Sequence, residues 1–237
     1  MAIVPDRTGV YPRELLGAEA ADAGRLLIGA RLVRETGAEA RVGRIVEVEA
    51  YAGEEDRASH ARFGRTTRNA VMFGRPGVAY VYLVYGMHNC LNVVTASEGR
   101  AAAVLVRAVE PISGLAGMRE ARLANAVERA KRRGSEAVAL ARRSIQALPA
   151  PRLASGPGLV CSAFSIDRAD DGVDLCDPTS RLRLEVAGED EPLAVATAPR
   201  IGIGYAAEPW RSVEWRFFVP GNPAISFSGP QSRWSGR

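Results

Sequence analysis

Apolar residues recur at helical spacing over residues 13–29, at Leu15, Leu16, Ala20, Ala23, Leu26 and Leu27, and predict one helix weakened by Gly17 and Gly24. From there the pattern changes to strands. Residues 30–34 (ARLVR) and 41–51 (RVGRIVEVEAY) read as two strands, and 52–69 as a polar, arginine-rich loop. Residues 77–86 (GVAYVYLVYG) are dense in aromatic and β-branched side chains and predict a third strand. Residues 91–96 and 102–108 predict two more around the turn at 97–100, with Glu110-Pro111 closing that run. Good helix formers fill 118–133 and 135–148, separated by Gly134. A short helix is expected at 159–165 and late strands at 182–186, 199–204 and 215–219. Strands that pair locally, with helices gathered between them, predict one α+β domain on a mainly antiparallel sheet. That domain takes in residues 1–237, with an irregular lead-in (about 1–10) and a Gly/Ser/Pro-rich tail from 221 predicted to fray, most of all at 228–237.

Composition adds location and a preference among partners. No apolar run approaches a membrane span, and the opening residues MAIVPDRTGVYPREL carry no signal-peptide core. Cys90, Cys161 and Cys176 are isolated and odd in number, as expected of reduced thiols. Together these predict a cytoplasmic protein without a membrane partner. The net charge of +4 favours a polyanion only mildly. Lys131 is the only lysine, so the positive charge is almost all guanidinium, whose planar fork suits phosphate.

Candidate chemistry concentrates between Arg44 and Pro111. Glu47 and Glu49 stand two apart on a strand and share a face. Single glutamates on strands are ordinarily solvated. Two of them, followed by Tyr51 and then His60, are a less ordinary set. Glu54, Glu55 and Asp56 read as surface charge. A metal centre is disfavoured: His60 and His88 are the only histidines, and there is no paired-cysteine or HxxxH spacing. No GxSxG is present for a serine nucleophile. Tyr80, Tyr82 and Tyr85 would ordinarily be core residues, but tyrosine at a strand tip can also stack on a base. Arg62, Arg65, Arg68 and Arg75 lie close by in sequence and can contact phosphate. The arginines of 121–154 read first as a solvated helix face, with phosphate contact as the alternative.

In order and spacing, RIVEVEAY with His60, RPGVAYVYLVYGMHNCLN, VLVRAVEP, SGPGLVCSAFSID and PRIGIG…WRFFVPGNPAIS resemble the alkyladenine (3-methyladenine) DNA glycosylases, from about Tyr11 to Ser226. The resemblance implies a curved antiparallel sheet with surrounding helices, no metal, no cofactor, and a monomer acting on double-stranded DNA that contains damaged purines. It implies Glu49 as the base that activates water and Arg107 as a residue that helps to hold that water. Tyr51, His60 and Tyr82 would sandwich and hydrogen-bond a flipped base. Asn92 would screen against the exocyclic amine of guanine, and Tyr85 would be the wedge that replaces the base in the stack. His88 falls at a position that varies and is given no role. The 121–154 stretch departs from the family's usual connection. The lone lysine, far from the motif block, points to base release without strand cleavage, because a nicking glycosylase needs an amine for a Schiff base. A non-catalytic module that binds distorted nucleic acid and an RNA-directed enzyme are the competing readings.

Overall fold

The structure, a computed structural model, describes residues 9–37, 39–84, 86–187 and 193–226. Within these, helices α1 (Arg13–Leu16) and α2 (Ala20–Leu27) precede strands β1 (Arg31–Glu35) and β2 (Ala40–Tyr51). Strands β3 (Ala79–Val84), β4 (His88–Val94) and β5 (Ala103–Ser113) lead into helices α3 (Leu115–Lys131), α4 (Ser135–Gln146) and α5 (Pro157–Phe164). Strands β6 (Leu182–Glu185), β7 (Ala196–Ala198) and β8 (Arg216–Phe218) follow. The pairings are antiparallel throughout, in the order β3-β4-β5-β2-β1-β6, and the sheet curls into a half-barrel of a single α+β domain. No helix among the described residues is long and apolar enough to cross a membrane.

β2 organises the sheet. One of its edges pairs with β5 along nearly its whole length. The other is shared, with β1 on residues 40–44 and β8 on Glu47–Glu49. A strand enclosed on both edges and covered on its faces buries nearly everything it carries, and Ile45 through Ala50 are all buried. Its pairing with β5 is irregular, since Glu47 faces Ala108 while Val48 faces Val106, and Arg107 is skipped between them. Such an extra residue bends the strand and re-aims a side chain.

The core lies between the concave face and α2, α3 and α5, with Phe164, Phe217, Met118 and Leu153 among its largest members. Gly24, a weak point by helix propensity, is explained by this packing. A Cβ there would meet the Phe217 ring at 3.0 Å, so its absence lets α2 sit close on the sheet.

Several sequence expectations are corrected. The helix over 13–29 is two helices, broken after Leu16. β5 does not stop at Glu110-Pro111 but runs to Ser113, because a register shift at Val42/Gly43 accommodates Pro111. Helix α5 begins at Pro157, a residue suited to the first helical position. Residues 199–204 are not a strand; the strand of that region is β7, just before them. At the described ends, Val10 bridges to Glu185, Ala224 is buried, and the Ser226 N–H bonds to Glu47. Residues 1–8 and 227–237 lie outside the described residues.

Gly43 is the tightest point between β2 and β5. A Cβ there would collide with Val109 and come within 2.9 Å of the Glu110 carbonyl. Gly43→Ala is expected to lose about 1–3 kcal/mol through overpacking, seen as a lower urea midpoint with an unchanged slope.

Candidate active site

The last turn of the β2 ladder carries Glu47, Glu49 and Tyr51 on one face, as their spacing requires. Both carboxylates are completely buried. Burying an ion is costly unless donors replace its water, and here they do. The Glu49 Oε1 accepts the Ile201 N–H at 2.7 Å and lies 3.3 Å from Arg107 Nη1, while its Oε2 accepts the Tyr51 hydroxyl at 2.9 Å. The Glu47 Oε2 accepts the Ser226 N–H at 2.6 Å. Its Oε1 lies 3.2 Å from both Arg107 Nε and Arg216 Nη1. Two carboxylates thus face two guanidiniums, and the cluster balances in formal charge.

Arg107 is placed by the irregularity in β5. Its carbonyl accepts from Gly156 at the start of α5, and its Nη2 donates to the Ser226 hydroxyl at 3.2 Å. Burial opposes its charge, but Glu49 and Glu47 outweigh burial and hold its pKa above the ordinary value. Tyr51 is driven the other way from ionisation, first by burial and then by Glu49, so it remains a hydroxyl donor.

Glu49 and Glu47 differ in what they face. Glu49 lines a cavity of about 600 Å³, and Glu47 lies behind it. That volume is ordinary for a small-molecule site. Tyr51, His60, Tyr82, Asn92 and Arg107 line the same cavity, so six of the seven residues singled out in the sequence converge. Tyr85 lies outside the described residues, although its neighbours Val84 and Gly86 line the cavity. The His60 and Tyr82 rings meet edge-on with centroids 4.4 Å apart, and Tyr80 lies 5.4 Å from Tyr82. His60 Nδ1 is 3.2 Å from the Tyr80 hydroxyl. One edge of His60 is open to solvent, yet the ring is crowded by its neighbours. That burial, with Arg68 and Arg62, pushes its pKa down to about 4. The imidazole is therefore neutral at pH 7. Asn92 is held by its amide, which donates to the Tyr80 carbonyl at 3.1 Å. Cys90 also lines the cavity, but burial pushes its thiol up to about 11, which leaves no thiolate nucleophile. Among the described residues no group of three or more His, Cys, Asp or Glu side chains could hold a metal ion.

Two residues essential to this geometry were misread or missed in the sequence. Asp56, taken for surface charge, is completely buried. It pairs with Arg200, whose two terminal nitrogens grip both carboxylate oxygens. Arg200 also donates to the carbonyls of Ala50 at 2.9 Å and Trp210 at 3.0 Å, and its guanidinium lies 4.7 Å from the Tyr51 ring centroid. The pair therefore pins the 52–60 loop and the 200–205 segment to the end of β2. The residue after Arg200 is Ile201, whose N–H reaches Glu49. No local signal marks this pair, because its members lie 144 residues apart in the sequence.

The sequence model of a family described as methylpurine-DNA glycosylase matches residues 14–223. A Methanocella arvoryzae protein named "Putative 3-methyladenine DNA glycosylase" is 41% identical over 223 residues, covering 93% of this chain and 98% of its own. A Myxococcus xanthus protein of the same name is 42% identical over 210 residues, covering 88% and 89%. The "DNA-3-methyladenine glycosylase" of Mus musculus is 41% identical over 225 residues, covering 93% of this chain and 62% of its own.

Asp56→Asn keeps the shape of the buried pair but leaves the Arg200 charge uncompensated. It is expected to cost about 3–5 kcal/mol, measured by denaturant unfolding. The double variant Asp56→Asn/Arg200→Met should recover part of that loss.

Proposed function

The chain belongs to the methylpurine-DNA glycosylase family, and from that membership we propose that it releases damaged purines from duplex DNA through a water molecule activated by Glu49. As a DNA glycosylase it is a hydrolase of N-glycosyl bonds. The observation that carries the mechanistic reading is a buried carboxylate, Glu49, at the wall of a ring-lined cavity, with Arg107 3.3 Å away.

A base stacked inside a duplex cannot enter a cavity of this depth, so the nucleotide must rotate out, at a cost of a few kcal/mol. Tyr85, which falls between β3 and β4 in the sequence, is the residue that the family resemblance assigns to fill the gap in the stack. The extruded base fits among Tyr51, His60 and Tyr82. A purine methylated at a ring nitrogen is cationic, and aromatic faces attract it. Neutral His60 suits such a guest, because a protonated imidazole would repel it. Asn92, buried and held by Tyr80, is the residue assigned to screen against the exocyclic amine of guanine.

The C1′–N bond then breaks, and its electron pair leaves with the base. Positive charge develops on the sugar, where the Glu49 carboxylate stabilises it. Water adds its oxygen to C1′ and gives a proton to Glu49. The Tyr51 hydroxyl and the Ile201 N–H hold the carboxylate in place, and Arg107 positions the water. The product is a free base and an abasic site.

No amine takes part. The sole lysine, Lys131, is exposed on α3, pairs with Glu128, and does not line the cavity. Purified protein is expected to leave abasic DNA uncut until heat or alkali is applied, and cleavage without either would contradict a monofunctional enzyme. For the catalytic step, Glu49→Gln should lower single-turnover release of hypoxanthine or 3-methyladenine from duplex DNA by about 10²–10⁴-fold while still binding the duplex. Binding by the wild-type chain without release from any DNA lesion would instead identify a recognition module. Release from RNA alone would identify an RNA-directed enzyme.

A further inference from the structure

The helical hairpin α3–α4 carries a charge that the site does not use. Between Leu115 and Gln146 stand eight basic residues and three acidic ones, a net of +5. The whole chain nets +4, so the rest of it nets −1. All of the protein's excess positive charge therefore sits on this one element.

Two of those arginines serve the fold. Arg119 donates to the Ile145 and Leu148 carbonyls at the end of α4, and Arg122 is buried against the Leu153 carbonyl. The other six (Arg129, Lys131, Arg132, Arg133, Arg142 and Arg143) are exposed. The end of α3 would gain from one or two cations near its dipole, and six exceed that need. Among the described residues the only ion pair in the hairpin is Lys131–Glu128. Arg129 leans on His88 at 3.2 Å, and that imidazole's pKa is lowered by burial and by Arg129 itself, so no carboxylate offsets the arginine.

The placement of the charge gives it a use. A groove of about 760 Å³ runs between the β3–β4 turn and the hairpin, lined by Met87 on one side and by Arg129, Arg132, Arg133 and Glu128 on the other, the Glu128 carboxylate being paired with Lys131. Gly86 lines both this groove and the catalytic cavity. The two concavities thus meet at Gly86. We propose that this groove is a phosphate track, in which Arg129, Arg132 and Arg133 hold the DNA backbone beside the extruded nucleotide. The strand that delivers a base into the cavity must continue past Gly86, and the groove is the positively charged path from that point. Helix α3, 17 residues long, extends roughly 25 Å, enough to follow several phosphates. Guanidinium forks suit those phosphates better than ammonium would. The inference rests on the reading of this chain as acting on DNA.

The test uses undamaged duplex, so it does not depend on base release. Binding of the full chain to a 25-base-pair DNA is measured against salt concentration. For Arg129→Gln/Arg132→Gln/Arg133→Gln, the slope of log Kobs against log salt should become shallower by about 2–3, near 0.9 per lost phosphate contact. Arg142→Gln/Arg143→Gln changes hairpin arginines that do not line the groove and should shift the slope by less than about 1. The substituted residues are exposed, and an unfolding midpoint equal to the wild type's identifies the slope change as loss of contact. A triple variant with the wild-type slope overturns the proposal. So does an equal change in both variants, which would make the charge a diffuse field. Failure of base release by the wild-type chain, with the slope change intact, would count against the glycosidic mechanism and not against the track.

Discussion

Two glutamates buried side by side at the end of β2 set the terms for the rest of this protein. An unpaired carboxylate in a protein interior is prohibitively costly, so the surrounding chain must supply donors. It does so from widely separated places: Arg107 in β5, Arg216 in β8, Ile201 in the loop after β7, and Ser226 near the end of the described chain. The partners of Glu47 close the back of the cluster, while Glu49 borders the cavity. The fold's irregular features can be understood from this need. The skipped pairing at Arg107 lets one side chain reach both acids. The short β8 adds to the β2 edge just where Arg216 is required.

A second buried pair protects the first. Arg200 and Asp56 lie next to the cluster, and Arg200 stands beside Ile201 in sequence and against Tyr51 in space. Both residues then hold Glu49, one through a backbone N–H and the other through a hydroxyl. The neighbouring His60 is attached to the same loop that Asp56 organises through the N–H groups of Ala52 and Ala58. The groups proposed to face the base and the sugar are thus set by one ion pair, which fixes the shape of the cavity wall. Such preorganisation spares the reaction the cost of ordering these groups.

How much of this was legible in the sequence depended on the range of the signal. Alternation along 41–51 and the aromatic run at 77–86 are local, and they gave the strands and the shared face of Glu47, Glu49 and Tyr51. The glycine between the two arginine-rich helices, Gly134, has φ +94° and marks their break correctly. Long-range pairing left weaker traces. Asp56 looked like one of three surface acids because nothing local distinguishes it from Glu54 and Glu55, and only the fold brings Arg200 to it. The 199–204 segment looked like a strand because Ile201 and Ile203 alternate with small residues, but its backbone is spent on Glu49 and on a turn at Gly202, whose φ is +78°. Pro111 looked like a stop because a central strand rarely accepts proline, and a register shift cannot be read from composition.

The arginine content deserves a chemical reading beside the compositional one. All but one of the 31 basic residues are arginine. Arg107 uses its Nε on Glu47, one terminal nitrogen on Glu49 and the other on Ser226. Arg200 holds both oxygens of Asp56 and two carbonyls while lying over a tyrosine ring. An ammonium has a single nitrogen and could not serve such spread-out partners at once. The buried polar frame therefore depends on guanidinium geometry as well as on positive charge. The same preference leaves no lysine among the described residues of the cavity wall, so one structural choice underlies both the rigidity of the site and the kind of product proposed for it.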